Sequence, residues 1–334
     1  MRLFELRRFE LDGLVFTERQ EPQPGPQEVL IRLRAASLNY RDLLILRGYY
    51  NPHLPLPLVP LSDGVGEVVA VGAEVDRVKP GERVAGTFFE RWVAGDLTDA
   101  GARSALGGER DGVLSEYRVL HQDGVVPVPE HLSDEEAASL PCAALTAWNA
   151  LCVQARLGAG DTVLIQGTGG VALFALQFAK MRGARVILTS RSAEKLAKAL
   201  ALGADVGINI SEHPDWAEQA RAHTDGRGVD VVIELGGAGT LNPSLHAARR
   251  GGTISLIGVL AGPGNVNIFP VIMKALRVQG IFVGSRTMFE SMNQAIASHR
   301  LKPVVDRVFP FTEARAALEY LQEGGHFGKV CLRF

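Results

Sequence analysis

Gly167, Thr168, Gly169, Gly170, Val171 and Ala172 follow the apolar run "TVLIQ" and open the helix-like pattern "GVALFALQFAKMRG". The spacing is G-x-G-x-x-G with alanine in the third place. A glycine at the first position permits a tight turn, and one at the second lets backbone N–H groups approach a pyrophosphate. A small residue at the third lets the helix lie close on its strand. The unpaired N–H groups and the dipole at the helix start then favour phosphate. Gly167, Thr168, Gly169, Gly170 and Val171 are therefore predicted to cradle a dinucleotide. The next strand bears on which one. NAD sites usually place a carboxylate about 20 residues on, where it accepts from the ribose 2′-OH. Here "ARVILTS" ends at Ser190, with Arg191, Ser192 and Lys195 following and no carboxylate at the tip. Arg191 and Lys195, with Ser190 beside them, suit a 2′-phosphate. NADP is favoured over NAD, although Glu194 weakens the positive field.

These residues need a scaffold, and the patterning supplies one. From Asp161 strand-length apolar runs alternate with amphipathic stretches: "TVLIQG", "ARVILTS", "DVVIEL", "GTISLIG" and "VQGIFVGS" are separated by helix-like segments. That is the sequence form of an α/β fold with a doubly wound parallel sheet. Before it, "EVLIRLRAASL", "GVGEVVAVG" and "LSEYRVL" read as short β segments between proline- and glycine-rich loops. At Ser133, followed by Glu136, a capping box opens a helical stretch. The tail, "VVDRVFPFTEARAALEYLQEGGHFGKVCLRF", predicts strand, helix and strand, and is expected to return to the first domain.

Composition narrows the class. The 35 basic side chains nearly balance the 37 acidic ones, which argues against nucleic acid or an anionic membrane as partner. No run is apolar and long enough to span a bilayer, and "MRLFELRRFELDG" lacks the hydrophobic core of a secretory signal. Three cysteines, Cys142, Cys152 and Cys331, widely spaced and odd in number, fit a reduced, cytoplasmic chain.

In this order "EVLIRLRAASLNYRDLLILRG", "DGVGEVVAVG", "KPGERV", "LPCAALTAWNAL", "GTGGVALFALQFAK", "LGAD", "GRGVDVVIE" and "GGTISLIG" resemble the medium-chain dehydrogenase/reductase superfamily across essentially the whole chain. The resemblance implies a GroES-like β-rich catalytic domain, residues 1–130 plus 300–334, interrupted by a Rossmann domain, residues 131–299, with the active site in the cleft between them. It also implies further cofactor contacts from Thr146, Gly236, Gly258, Val283, Gly284, Ser285, Phe327 and Gly328. A homodimer is expected, because the "RVQGIFVGS" edge commonly pairs with its twin in this family.

The sequence departs from the zinc-dependent members. These carry a cysteine in the segment that here reads "SLNYRD", and a His-Glu pair where Ser62 and Asp63 stand; Cys142 is at or next to the third ligand's place. Catalytic zinc needs three protein ligands and an open position, so no zinc is expected. "FFERWVAGDLTDAGARSALGGERDG" has no cysteine, and no structural zinc lobe is expected either. Without a metal, hydride transfer requires a hydrogen-bond donor at the substrate oxygen, or a substrate that delocalises the charge. Quinones and α,β-unsaturated carbonyls do the latter, and the sequence leans toward them over simple carbonyl/alcohol pairs. By resemblance to zinc-free members, Asn39, Tyr40 and Asp42 line the cleft: Tyr40 as acid or oxyanion donor, Asn39 as positioner, Asp42 orienting them or pairing with Arg41. The same three residues also suit a helix cap. Tyr49, Tyr50 and His53 are placed on a loop that could rim the pocket. The rival to a zinc-independent NADP(H) oxidoreductase is a non-catalytic NADP(H)-binding redox sensor or structural relative.

Overall fold

The computed structural model describes residues 1–260 and 264–334. Within them the chain forms two compact units, Met1–Leu145 with Val283–Phe334, and Thr146–Phe282. Its strands are β1 (Arg2–Leu6), β2 (Leu14–Glu18), β3 (Glu28–Ser37), β4 (Asp63–Val71), β5 (Arg83–Gly86), β6 (Tyr117–His121), β7 (Val125–Pro127), β8 (Thr162–Gln166), β9 (Arg185–Ser190), β10 (Val206–Asn209), β11 (Val229–Glu234), β12 (Ala248–Leu256), β13 (Arg277–Gly280), β14 (Val305–Pro310) and β15 (Lys329–Arg333).

The first unit is built on a seven-stranded sheet in the order β14-β15-β3-β4-β5-β7, with β6 also on β3, beside the hairpin β1-β2. Leu3, Leu6, Ile31, Val84, Leu114 and Leu332 belong to its core. The register brings distant polar residues together. Antiparallel pairing sets Ser37 opposite Asp63 on one side and opposite Cys331 on the other. Immediately past β3, Asn39 takes an extended conformation and caps helix Tyr40–Leu46. Asp42 Oδ2 accepts the Asn39 backbone N–H at 2.7 Å, the local bond that ends the strand and starts the helix.

The second unit carries six parallel strands in the order β10-β9-β8-β11-β12-β13. β8 and β11 are buried along their whole length, as expected for strands covered on both faces. Chain order reverses between β8 and β11, the switch point at which such sheets bind ligands. The apolar runs from Asp161 onward thus form the doubly wound sheet expected of them, with "VQG" in the edge strand β13. The capping box is present: Ser133 N donates to Glu136 Oε2 at 2.8 Å, and Glu136 N to Ser133 Oγ at 3.2 Å.

The compact units divide at Leu145/Thr146 and Phe282/Val283, whereas the limits expected from the sequence fall at 130/131 and 299/300. The reason lies in polar anchors. Asn293 Nδ2, on helix Arg286–His299, donates to Pro127 O at 2.9 Å, and Arg333 Nε reaches Glu135 Oε1 at 2.6 Å. Both segments are fastened to strands of the first unit.

Candidate active site

In the second unit, Gly169 is the N-cap of the 12-residue helix Gly170–Met181 and gives its first N–H groups no side-chain cap. Gly167 has φ +77°, and a Cβ built there or on Gly169 would meet no atom within 4 Å. Their missing side chains therefore leave space above the turn, which is what a pyrophosphate against the backbone requires. The residues present fit a dinucleotide. Thr168 is buried and Val171 half-buried. Ser190 ends β9 buried, its Oγ accepting from Ser192 N at 3.2 Å. Arg191 is exposed and Lys195 half-buried; Lys195 N donates to Ser192 Oγ at 3.3 Å.

Gly236 and Gly258 are glycines for a different reason. A Cβ at Gly236 would collide with Thr240, and one at Gly258 with the Leu235 carbonyl. The turn after β11 that carries Gly236 is pinned by Glu234, fully buried at the end of that strand. Its carboxylate accepts from Gly236 N at 2.9 Å, Gly237 N at 3.0 Å, Gln166 Nε2 at 2.7 Å, and the hydroxyls of Thr240 and Ser244. The network ties the end of β8 to the end of β11, so the switch point is held by hydrogen bonds as well as by the sheet. Thr146 is buried in the same unit.

Val283, Gly284, Ser285, Phe327 and Gly328 lie in the first unit. Buried Val283 has φ +55°, a strained value for a β-branched residue. A Cβ on Gly284 would stand 2.9 Å from Leu145 Cγ. Ser285 caps helix Arg286–His299, its Oγ accepting from Met288 N at 3.4 Å. Phe327 N donates to Asp306 Oδ1 at 3.1 Å. Gly328, at φ +95°, packs against Val304.

The first unit also assembles a buried polar cluster. Asp63 is wholly buried; Ser62 Oγ donates to its Oδ1 at 2.6 Å and Cys142 N to its Oδ2 at 3.0 Å. Lys329, 3 % exposed, points its ammonium at the Leu38 carbonyl and at Asn39 Oδ1, 2.6 Å away. Burial raises the Asp63 carboxyl above its ordinary value, opposed first by the Lys329 charge and then by the Ser62 hydroxyl. Burial likewise pushes Asp42 up to about 6, against the pull of Arg41 and the Asn39 N–H. Cys142 is raised strongly, by burial and then by Asp63, which keeps it a neutral thiol. Among the described residues, no group of three or more His, Cys, Asp or Glu side chains is placed to hold a metal ion.

The three residues expected to be catalytic thus divide. Asn39 joins the Lys329 cluster, Asp42 is buried on the first turn where it closes the capping box with Asn39, and Tyr40 stands 41 % exposed at the helix start. The Arg41 guanidinium lies between two rings, 4.9 Å from the centroid of Tyr50 and 4.5 Å from that of Phe88, and Nη1 donates to Leu106 O at 2.8 Å. Burial raises the Tyr50 phenol, with Arg41 opposing and the Cys142 and Glu109 groups near enough to add to the rise. Tyr50 therefore belongs to the cluster as well as to the loop. Lys329 is not among the residues the sequence singles out. Its one signal is a lysine opening the otherwise apolar "VCL" of the last strand.

Residues 25–130 match the alcohol dehydrogenase GroES-like domain, and residues 170–298 the zinc-binding dehydrogenase domain. The "Zinc-type alcohol dehydrogenase-like protein" of Schizosaccharomyces pombe is 45% identical over 330 residues, covering 96% of this chain and 95% of the relative. The acryloyl-coenzyme A reductase of Metallosphaera sedula is 33% identical over 333 residues, covering 96% of each. A solved NAD-dependent alcohol dehydrogenase superposes with a TM-score of 0.92 at 36% identity, over 100% of both chains. With a parallel dinucleotide-type sheet, a GroES-like unit and these relatives, the chain belongs to the medium-chain dehydrogenase/reductase superfamily and is an alcohol dehydrogenase- and quinone oxidoreductase-like oxidoreductase.

Proposed function

We propose that the protein is a zinc-independent, NADP(H)-dependent reductase of conjugated carbonyl compounds: quinones or α,β-unsaturated ketones, aldehydes or esters. The observation that carries this reading is the Lys329 ammonium inside the polar cluster. Zinc requires three anionic or imidazole ligands around an open position. This cluster offers two buried carboxylates, Asp63 bonded to Ser62 and Asp42 bonded to the Asn39 N–H, one thiol held neutral, and a resident cation hydrogen-bonded to Asn39, and no third ionised or imidazole ligand stands with the carboxylates among the described residues. Those residues do not fit zinc.

A nicotinamide dinucleotide bound at the Gly167–Val171 turn would supply the hydride. The work left to this chain is to receive the electron pair displaced onto the substrate oxygen and to deliver a proton. In a conjugated carbonyl, hydride added at the β-carbon moves the π electrons to the oxygen, and protonation at the α-carbon completes the reduction. Asn39 Nδ2 is the donor we assign to that oxygen. For the proton we assign the Tyr50 hydroxyl, which burial keeps protonated at neutral pH and which Arg41 and Cys142 flank. Exposed Tyr40, the acid expected from the sequence, is the alternative. NADP preference rests on Arg191 and Lys195 beside Ser190 with no acid at the strand tip. The acryloyl-coenzyme A reductase relative acts on a conjugated acyl group, which favours this substrate class over simple alcohols. A panel of quinones, enones, aldehydes and ketones, followed by NADPH oxidation, tests the reading. Turnover of none of them would favour the redox-sensor alternative.

We further propose a homodimer through β13. This edge strand, the helix Phe269–Met273 before it and Phe282 just past it expose Phe269, Ile272, Met273, Val278 and Phe282, an apolar edge that pairing would cover. A monomeric mass by light scattering at micromolar concentration would overturn it. Among the described residues no helix is long and apolar enough to cross a membrane.

A further inference from the structure

Lys329 opens β15 and is 3 % exposed. The antiparallel register that sets Cys331 opposite Ser37 carries Lys329 toward Asn39, just beyond the end of β3. An ammonium has three protons and no lone pair, so everything it contacts closely must be an acceptor. It donates to the Leu38 carbonyl and to Asn39 Oδ1. An amide held in this way has one orientation: turning it over would set its NH2 against the ammonium, donor facing donor in a buried site. Asn39 Nδ2 is thereby turned to the other side, toward the Asp63 carboxylate, whose ionised form it favours, but it stays outside ordinary hydrogen-bond geometry with every acceptor among the described residues. A buried donor left short of a well-formed hydrogen bond points to a ligand or a functional role.

We propose that Lys329 is a positioning residue: its ammonium locks the Asn39 side chain so that Nδ2 is presented as a donor to the anionic oxygen forming on the substrate. The proposal rests on the reductase reading above and names the group that makes Asn39 competent in it. The ammonium has a second consequence. Asp63 on β4 and Asp42 on the first helix both feel its charge, as do the Cys142 and Cys331 thiols. A fixed cation thus stands among the groups the substrate oxygen would meet, supplied by the chain itself. It acts through Asn39 rather than on the substrate.

The test is a double-mutant cycle in the full-length protein. Lys329→Ala and Asn39→Ala are each expected to lower kcat by about 100-fold, the scale for loss of one oxyanion donor. The KM for NADPH should stay within about threefold, since neither residue is assigned to the dinucleotide. The double variant should be no more than about threefold worse than either single one, because the two act as one unit. Added propylamine should restore part of the Lys329→Ala rate and none of the Asn39→Ala rate. Unchanged kcat in Lys329→Ala, or losses that multiply in the double variant, would overturn the proposal. If Lys329→Ala does not fold, adding Asp63→Asn removes the unbalanced carboxylate, and the same amine rescue is expected. A readout independent of turnover is the side-chain 15N resonance of Asn39 in asparagine-labelled protein. It should be a single sharp NH2 pair in the wild type and exchange-broadened in Lys329→Ala; identical signals would overturn the lock even if no carbonyl is reduced. Failure of every substrate with the lock intact would instead count against the reductase reading.

Discussion

The Lys329 ammonium and the Asn39 amide oxygen lie 2.6 Å apart, although 290 positions separate them in the chain. Around that contact stand Asp63, bonded to Ser62 and to the Cys142 N–H, and Asp42, bonded to the Asn39 N–H. The arrangement is a hydrogen-bonded cluster in which a buried ammonium stands near two carboxylates. A buried ammonium with two acceptors and nearby carboxylates is compensated.

Arg191→Ala should narrow the preference for NADPH over NADH. Losing a charge-assisted contact with the 2′-phosphate is expected to weaken NADPH about tenfold and leave NADH unchanged. Titration of both nucleotides by fluorescence checks this, and equal binding of the two by the wild type would remove the phosphate assignment.

Two glycines should separate by property. Gly169→Val adds a side chain to open space over the phosphate turn, so it is expected to abolish nucleotide binding while lowering stability by only about 1 kcal/mol or less. Gly258→Ala would drive a methyl group into the Leu235 carbonyl and is expected to destabilise by about 2 kcal/mol or more. Denaturant melts beside nucleotide titrations distinguish them, and the reverse pattern would contradict the assigned roles.

Asp42 makes stability depend on pH. Its carboxyl, ordinarily at 3.8, is pushed up to about 6 by burial. Between these values the folded chain holds a proton that the unfolded chain has lost, so stability falls as pH rises through this window and levels above it. The slope corresponds to on the order of 3 kcal/mol, and Asp63, also raised by burial, acts in the same sense. Asp42→Asn keeps an acceptor for the Asn39 N–H and should flatten the decline from pH 4 to 6. Urea midpoints across that range measure it; an unaltered slope would show that Asp42 titrates normally.

Tyr50→Phe and Tyr40→Phe should differ. Removing the Tyr50 hydroxyl is expected to lower kcat by about 100-fold, the scale for losing a general acid. Removing that of exposed Tyr40 should change it by less than about threefold. Steady-state kinetics on one turned-over substrate decides between them, and the opposite ranking would return the acid to Tyr40.

The second unit is legible in the sequence because each parallel strand is an apolar run and each intervening helix an amphipathic one. β8 and β11 are buried along their whole length, as their composition implies. The glycine turn is legible for the same reason, being local: strand, turn and helix adjoin one another in the chain. Gly236 and Gly258 are recognisable as glycines that matter, but not why, since their neighbours Thr240 and Leu235 are set by packing at the sheet's switch point. Least legible is the cluster in the first unit. Asn39 stands out by its segment, but Lys329 acquires meaning only through the register of β15 on β3, which no local pattern encodes. Tyr40 and Tyr50 are told apart only by the placement of Arg41 between the Tyr50 and Phe88 rings, a contact that the fold sets.

A protein-supplied donor set, not a metal, is assigned to carry the reduction of a conjugated carbonyl. This is tested most directly by the initial rate of NADPH oxidation with an enone or quinone, before and after exhaustive dialysis against a strong zinc chelator, with zinc content measured on the same samples. The donor-set mechanism predicts the same rate in both, with far less than one zinc per chain. A rate lost on chelation and restored by stoichiometric zinc would contradict it.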